Sequence, residues 1–449
     1  MGSATCDVNY DDEYYAGHRE RIDCQNIQLP LKDVLCDNCR ILTVSDSSIP
    51  EILTAAFLNF PFMVKLQLSG NFINKLQPGA FSGLQALEQL DLHNNQIVKI
   101  YNGVFNHLVQ LKSLDLSKNK ISSVDPNFLT GLMHISSLNL AENALKSFDD
   151  VFLGQNSHVT MLNLSNNEIS FFSLSRFNSK IITLDISNNN LTFVNVCFLG
   201  LQNLDSSYNK ISHLFADSCS LNTAPINLNI SYNLLNEENI MNVSKLFNLK
   251  TLNLAGNNLS FIPVNLFVNL TNLVNLNVSH NKISYLNYGT LNNLSVLQSL
   301  DLSYNKLTTL KRYLHSLMKL RYLYINNNKI TNINSKQLLD DTGAVYINID
   351  TNDFTCENLI EVIHDFKLLK GTATIGSNIY GVACKEKTLP EANPEVNLKA
   401  DVIKYSETTI SATQSVIIML LVILVVFKVV KVYSNFNAKN LLSREQVEL

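Results

Sequence analysis

The chain has 449 residues, of which 46% are hydrophobic and 16% charged, with a net charge of −4 and a pI near 6.1. That balance argues against a nucleic-acid partner, and no Lys/Arg run interleaved with aromatic residues appears. Length alone would suggest two or three domains, but a regular period makes most of the chain one elongated domain.

The first residues, Met1, Gly2, Ser3, Ala4, Thr5 and Cys6, carry neither a basic region nor an apolar run. No signal peptide is read there, and the sequence is expected to be a mature or truncated form with an added start. The myristoylation pattern also fails, because Cys6 stands where Ser or Thr is required. Residues 1–41 read as a cysteine cap. Cys6, Cys24, Cys36 and Cys39 precede the first full repeat, where the open end of a stacked coil would expose apolar core. Cys24 holds a strand position in Ile22, Asp23, Cys24, as a strand laid on the first coil would. Four cysteines allow three pairings, all of which stay open. A zinc site at Cys36 and Cys39 lacks two further ligands at matching spacing.

Thirteen asparagines follow, Asn71, Asn95, Asn119, Asn143, Asn167, Asn189, Asn209, Asn233, Asn257, Asn281, Asn305, Asn328 and Asn352. Nine of the twelve intervals repeat the step from Asn71 to Asn95, a period of about 24 residues. Around each the chain reads LxLxxNxL or a close variant, as in Leu90, Leu92, Asn95, Ile97 and Leu300, Leu302, Asn305, Leu307. An LxL pair alternates as a strand buried on one face demands, and the Asn and Leu turn the chain away from it. One such coil cannot bury its leucines alone, so neighbours stack. Ser47, one such step before Asn71, marks an earlier coil with serine in place of the amide, giving fourteen coils over 42–354. With parallel strands about 4.8 Å apart, they make a ladder on the order of 65 Å long. The repeated amide is read as structural, since it can donate to and accept from backbone groups that the turn would leave buried and unpaired. Half-way round, Phe81 and Leu84, Phe105 and Leu108, Phe128 and Leu132, and Phe267 and Leu270 close the convex side.

The steps from Asn167 to Asn189 and from Asn189 to Asn209 are progressively shorter than the rest, so the convex segments there are expected to be tighter and the curvature to change. Cys197 and Cys219 fall on the descending sides of these adjacent coils and are expected to form a disulfide; two buried free thiols are the alternative. Eight N-x-S/T sequons occur, at Asn163, Asn190, Asn229, Asn242, Asn258, Asn269, Asn277 and Asn293. Asn163, Asn229 and Asn277 arise from the repeat itself. Asn242, Asn269 and Asn293 are better glycosylation candidates, with Asn190 and Asn258 kept beside them.

Side chains projecting from the strands form a concave face suited to another macromolecule. Between the paired leucines stand Asp91, Asp115, Asn139, Asn163, Asp185, Asp205, Asn229, Asn253, Asn277 and Asp301, a polar column read as filler rather than as a site. Near the C-terminal end Tyr304, Tyr322, Tyr324 and Tyr346 are expected to project from the strands beside Arg321, with Tyr208 and Tyr232 further back. Tyrosine and arginine are common binding hot spots, so these seven are the candidate ligand-binding residues, although stacked tyrosines can also merely cover one another. His93 and His280 are placed on the same face and read as inert. Asp350, Asn352 and Asp353 faintly resemble a calcium loop that lacks its glycine and terminal Glu.

Cys356 and Cys384 bound a C-terminal cap at 355–384, and 385–409, polar with Pro390 and Pro394, reads as a stalk. From Val416 to Phe427 the chain is uninterruptedly apolar, and the wider segment 410–433 gives about 36 Å of helix. Apolar residues cover all its sides, so it is read as a transmembrane helix rather than an interfacial one. Lys428, Lys431, Lys439 and Arg444 then fall on the cytoplasmic side, with a tail at 434–449 too short to fold. No G-x-S-x-G, H-E-x-x-H, G-x-G-x-x-G or Walker pattern occurs, so no enzyme, metal or cofactor is expected.

These repeats and the closing segment, Asn352, Asp353, Phe354, Thr355, Cys356 onward to Gly381, Val382, Ala383, Cys384, resemble animal extracellular leucine-rich repeat proteins, as in Toll-receptor ectodomains and insect leucine-rich immune proteins. The resemblance covers roughly 24–384. It implies an α/β solenoid, a horseshoe with a parallel concave β-sheet and cysteine-containing caps, and recognition of proteins or microbial ligands, often as dimers. The Toll signalling domain is absent, and the coiled coil of many insect members is replaced by the apolar span. The expectation is a type I single-pass protein of the plasma membrane, ectodomain outside, acting as a recognition protein or co-receptor in innate immunity. A cell-adhesion molecule of developing tissue is the alternative, and a secreted factor held by its terminal helix to a partner a third.

Overall fold

The computed structural model describes residues 5–10, 20–27, 39–149, 151, 158–173, 181–216, 219, 223–369 and 374–375. The chain divides into two units, Met1–Glu386 and Lys387–Leu449, and every described residue lies in the first. The expected stalk, transmembrane helix and tail therefore fall outside the described residues. Among the described residues no helix is long and apolar enough to cross a membrane.

Each LxL pair folds into a three-residue strand. In Ser113–Asp115, Leu114 is buried between two half-buried neighbours, because successive side chains of a strand point to opposite faces. The strands pair parallel and in register, Leu66 with Leu90, Leu90 with Leu114 and Leu114 with Leu138, so each leucine packs on its equivalent in the next coil. Among the described residues the sheet has 17 strands. At its start β1 (Thr5–Tyr10) runs antiparallel to β2 (Glu20–Gln25), which lies parallel on β3 (Cys39–Ser45). Cys24 pairs in register with Cys6 on one side and Val44 on the other, and a disulfide joins Cys6 to Cys24. The sheet thus opens with a capping strand, and with an antiparallel partner that the repeat pattern does not announce.

On the opposite side the structure departs from the expected α/β solenoid: this is a β-solenoid. Turns closed by bonds such as Met63 N–H to Phe60 and Leu87 N–H to Leu84 carry most coils across. The phenylalanines of these turns are buried, and Phe57, Phe81 and Phe105 stack with centroids 5.9 and 5.8 Å apart. A Phe and a Leu three residues apart mimic one helical turn, but the segment is too short to propagate one. The described α-helices are α1 (Ser335–Asp341), capped by the Asn334 side chain accepting from Gln337 N–H at 2.9 Å, and α2 (Cys356–Leu369). They pack together where the repeats end.

The asparagine ladder closes each turn. Asn95 Nδ2 donates to the carbonyls of Leu68 at 2.9 Å and Leu92 at 3.0 Å, while its Oδ1 accepts from Asn71 and Ile73 N–H at 3.0 Å each. In the short coils the reach back shrinks, yet Asn189 still meets Leu164 O and Asn209 still meets Ile186 O, both at 3.0 Å. The missing residues are taken from the far side, where Phe193–Asn195 and His213–Phe215 form a small parallel sheet of their own. Cys197 and Cys219, joined by a disulfide, follow these two strands.

Replacing Asn209 with Leu strands Leu191 N–H and Ile186 C=O in the core. Chemical denaturation should show a loss of about 2 kcal/mol or more. Asn275→Ala, at an exposed strand position outside the ladder, should stay within about 0.5 kcal/mol of the parent.

Candidate functional site

The polar column between the leucines has a local structural task. Oδ1 of Asp115, Asp185, Asp205 and Asp301 accepts from the backbone N–H two residues on, at 2.8, 3.0, 2.9 and 2.9 Å, and also from the hydroxyl of the serine there. Asn229 and Ser231 do the same, while Asn139, Asn163, Asn253 and Asn277 keep the backbone part alone. These are Asx turns, in which the side chain satisfies an amide that the end of the strand leaves unpaired. The recurring D/N-x-S at 115–117, 185–187, 205–207 and 301–303 carries this signal in the sequence itself.

The seven candidate binding residues separate into two groups. Tyr322 and Tyr324 flank buried Leu323 on one strand, and Tyr346 opens the next. Tyr346 lies in register with Tyr322, with ring centroids 6.5 Å from Tyr322 and 5.5 Å from Tyr324. Burial, then the neighbouring Tyr346 and Asp301, push the Tyr324 phenol above the usual tyrosine range and keep it a neutral donor. Arg321 precedes the strand and is exposed.

Tyr208, Tyr232 and Tyr304, expected on strands, are not there. Each stands just before a ladder asparagine, with φ of 52, 53 and 53°. Together with His280 they form an exposed column along the turn. Tyr208 stacks on Tyr232 at 4.4 Å, and His280 on Tyr304 at 4.1 Å. Between them the ring of Tyr232 lies over Gly256 (φ +65°), where an added Cβ would clash with its Cδ1. Burial, followed by the Tyr208 phenol beside it, raises the Tyr232 pKa. His280 thus belongs to this column, while Nδ1 of His93 lies 2.7 Å from Asp91 Oδ1.

Comparison with known proteins agrees with this geometry. Residues 37–97, 87–145 and 247–307 match the model "Leucine rich repeat", and 295–337 match "Leucine Rich repeats (2 copies)". The fold is a leucine-rich repeat solenoid. No curated protein sequence matches the chain. Among solved structures, the APL1 leucine-rich repeat domain is 21% identical with a TM-score of 0.63, over 76% of this chain and 90% of that one. A leucine-rich repeat protein of Leptospira interrogans is 23% identical with a TM-score of 0.60, over 76% and 90%. The LRIM1/APL1C complex matches at 22% identity and a TM-score of 0.64, over 80% of this chain and 66% of that one. The matched family models describe repeats, not a catalytic domain.

Within the repeats the expected sequons lie in distinct settings. Asn163, Asn229 and Asn277 are on strands. Nδ2 of Asn242, Asn269 and Asn293 donates to the carbonyls of Leu214, Ser244 and Val268 in the preceding coil, and Oδ1 of Asn190 and Asn258 accepts from Lys210 and Lys282. Cys39 and Cys356 are also disulfide-bonded, with partners outside the described residues, which include neither Cys36 nor Cys384. Among the described residues no group of three or more His, Cys, Asp or Glu could hold a metal ion.

The final repeat keeps the Asx bond, Asp350 N–H donating to Asn348 Oδ1 at 3.1 Å, but has no serine hydroxyl to add to it. Asp350 stands in the serine's place, its Oδ1 is buried without a hydrogen-bond partner among the described residues, and burial raises its pKa. A raised folded-state pKa means that the stability is present while the carboxyl is protonated and lost as pH rises through that value. Asp350→Ser restores the hydroxyl that bonds Asn229 at 2.8 Å from Ser231. It should raise Tm at neutral pH, and the advantage over the parent should shrink on acidification to about pH 3, below the ordinary aspartate range.

Proposed function

We propose that this chain is a cell-surface recognition protein or co-receptor, which binds a protein or microbial ligand through the sheet face of its repeats, in innate immunity. The observation that carries the reading is the cluster of Tyr322, Tyr324 and Tyr346. These are large amphipathic rings at one end of a face that from Ser113 to Asp301 carries Ser, Thr, Asn and Asp at its strand positions, apart from Met161. Such rings combine contact area with a hydrogen-bonding tip at low entropic cost, which is what a protein partner exploits. Exposed Arg321 adds a cation at the same edge. The disulfides Cys6–Cys24 and Cys197–Cys219 suit an oxidising compartment. The apolar stretch at 410–433, with its lysines beyond, suits a single membrane span with the repeats outside. That LRIM1 and APL1C occur in a complex supports a partner of similar fold, as a homodimer or heterodimer.

Two measurements test the reading. Tyr324→Ala combined with Tyr346→Ala should weaken capture of the partner by about tenfold or more while thermal unfolding stays cooperative; unchanged affinity removes this face from the proposal. Expressed behind a secretory leader, the full chain should remain in the membrane pellet after alkaline carbonate, and deletion of 410–433 should release it to the medium. Release of the full chain would overturn the anchor.

A further inference from the structure

The sheet face opens into a cavity of about 440 Å³ across the strands Thr183–Asp185, Asn203–Asp205, Asn227–Asn229 and Thr251–Asn253. It begins on the shortened coils. Leu184, Leu204 and Leu228, whose side chains are buried in the core, lie beneath it, and the other lining residues are Thr, Asp and Asn; no Lys, Arg or aromatic ring contributes.

The groups are held in place by one another. Asn203 donates to Thr183 Oγ1 at 3.1 Å and accepts from Asn227 Nδ2 at 2.7 Å, while Asn229 Nδ2 donates to Asp205 Oδ2 at 2.8 Å. The Asx turns fix Oδ1 of Asp185, Asp205, Asn229 and Asn253 from below. A defined set remains without a hydrogen-bond partner among the described residues. Asp185 Oδ2 and Asn227 Oδ1 accept; Asn253 Nδ2, the Thr183 hydroxyl proton and the second amide proton of Asn203, Asn227 and Asn229 donate; and the Thr251 hydroxyl does both. Donors and acceptors therefore alternate over four strands, spread over about 14 Å at the usual parallel-strand spacing.

We propose that this cavity binds a neutral, hydroxyl-rich ligand: a short stretch of unsulfated, unphosphorylated oligosaccharide. A hydroxyl donates and accepts at once, so a row of them can satisfy the whole set. A cationic side chain would engage Asp185 and Asn227 but offer nothing to the Asn253 and Thr183 donors, and a desolvated donor without an acceptor is costly. An anionic ligand would meet the carboxylates of Asp185 and Asp205 on neighbouring strands. An apolar ligand would desolvate all of these groups at once. Because the side chains are already ordered, little conformational entropy is lost on binding. The proposal rests on the sheet face being the recognition surface, and it names a ligand class for strands other than those of the tyrosine cluster.

The test is calorimetric titration of the full chain with four probes: β-1,3-linked glucose hexasaccharide, N-acetylglucosamine hexasaccharide, hexa-arginine and a sulfated heparin hexasaccharide. At least one neutral saccharide should bind saturably. Asn227→Ala with Asn253→Ala should weaken it by about tenfold or more, whereas Asn275→Ala, one coil further on, should leave it unchanged. Should the double variant fail to fold, Asn253→Asp replaces the free donor with an anionic acceptor oxygen, keeps the oxygen for the Ala255 N–H, and should weaken the same probe. The proposal is overturned if neither neutral saccharide binds, if hexa-arginine or the heparin fragment binds in their place, or if the variants that fold bind the saccharide as the parent does. Tyr324→Ala with Tyr346→Ala should not alter saccharide affinity, so failure here and failure of the tyrosine-based reading are seen separately.

Discussion

The structure depends on one constraint: a coil that turns back on itself with every repeat must bury backbone N–H and C=O groups at the turn, and each must find a partner. The asparagine side chain meets this, because an amide donates with one atom and accepts with the other. Asn209 joins Ile186, Ser206 and Ser207 through Nδ2 and Leu191 through Oδ1, so one residue ties its own coil to its neighbours. Leucine packing and strand pairing supply the driving force and hold the strands in register. The amide ladder fixes the turn, and it holds where the coils shorten at Asn189 and again at Asn209.

That constraint explains what could be read in advance. The period, the inward leucines, the structural amide and the nearness of Cys197 to Cys219 are all consequences of stacking, and stacking is written in spacing. The solenoid's far side was less legible, since Phe81 and Leu84 carry the same spacing in a turn as in a helix. The antiparallel β1 was not legible, because it pairs with a cap strand and not with a repeat. The face also hid two things. Asp115 and Asp205, read as filler, turn out to close the amide two residues on. Tyr304 shares a coil with Asp301, yet the turn carries it off the strand. Periodicity of two assigns faces within a strand and says nothing beyond its end.

The outward face accordingly has two chemical characters. From Thr183 to Asn253 it is an ordered polar lattice without large side chains; at Tyr322, Tyr324 and Tyr346 it becomes aromatic. A rigid scaffold can hold both because each coil contacts only its neighbours, which lets side chains on distant strands differ without disturbing the core. Surface character can then change coil by coil while the buried leucines stay the same.

The column of Tyr208, Tyr232, His280 and Tyr304 bears on how this chain has been shaped. Equivalent positions in other coils hold Asn94, Asn166, Asn188, Asn327 and Gly256, which accept left-handed backbone readily, but also Lys118, Glu142 and Thr351, which do not. A bulky ring there carries strain of order 1 kcal/mol or more. A backbone seeking only durability would use glycine or asparagine at all of them. Four aromatic rings held in a basin that glycine or asparagine would occupy at less cost, all on one edge, give up some thermal robustness for a stacked, exposed surface.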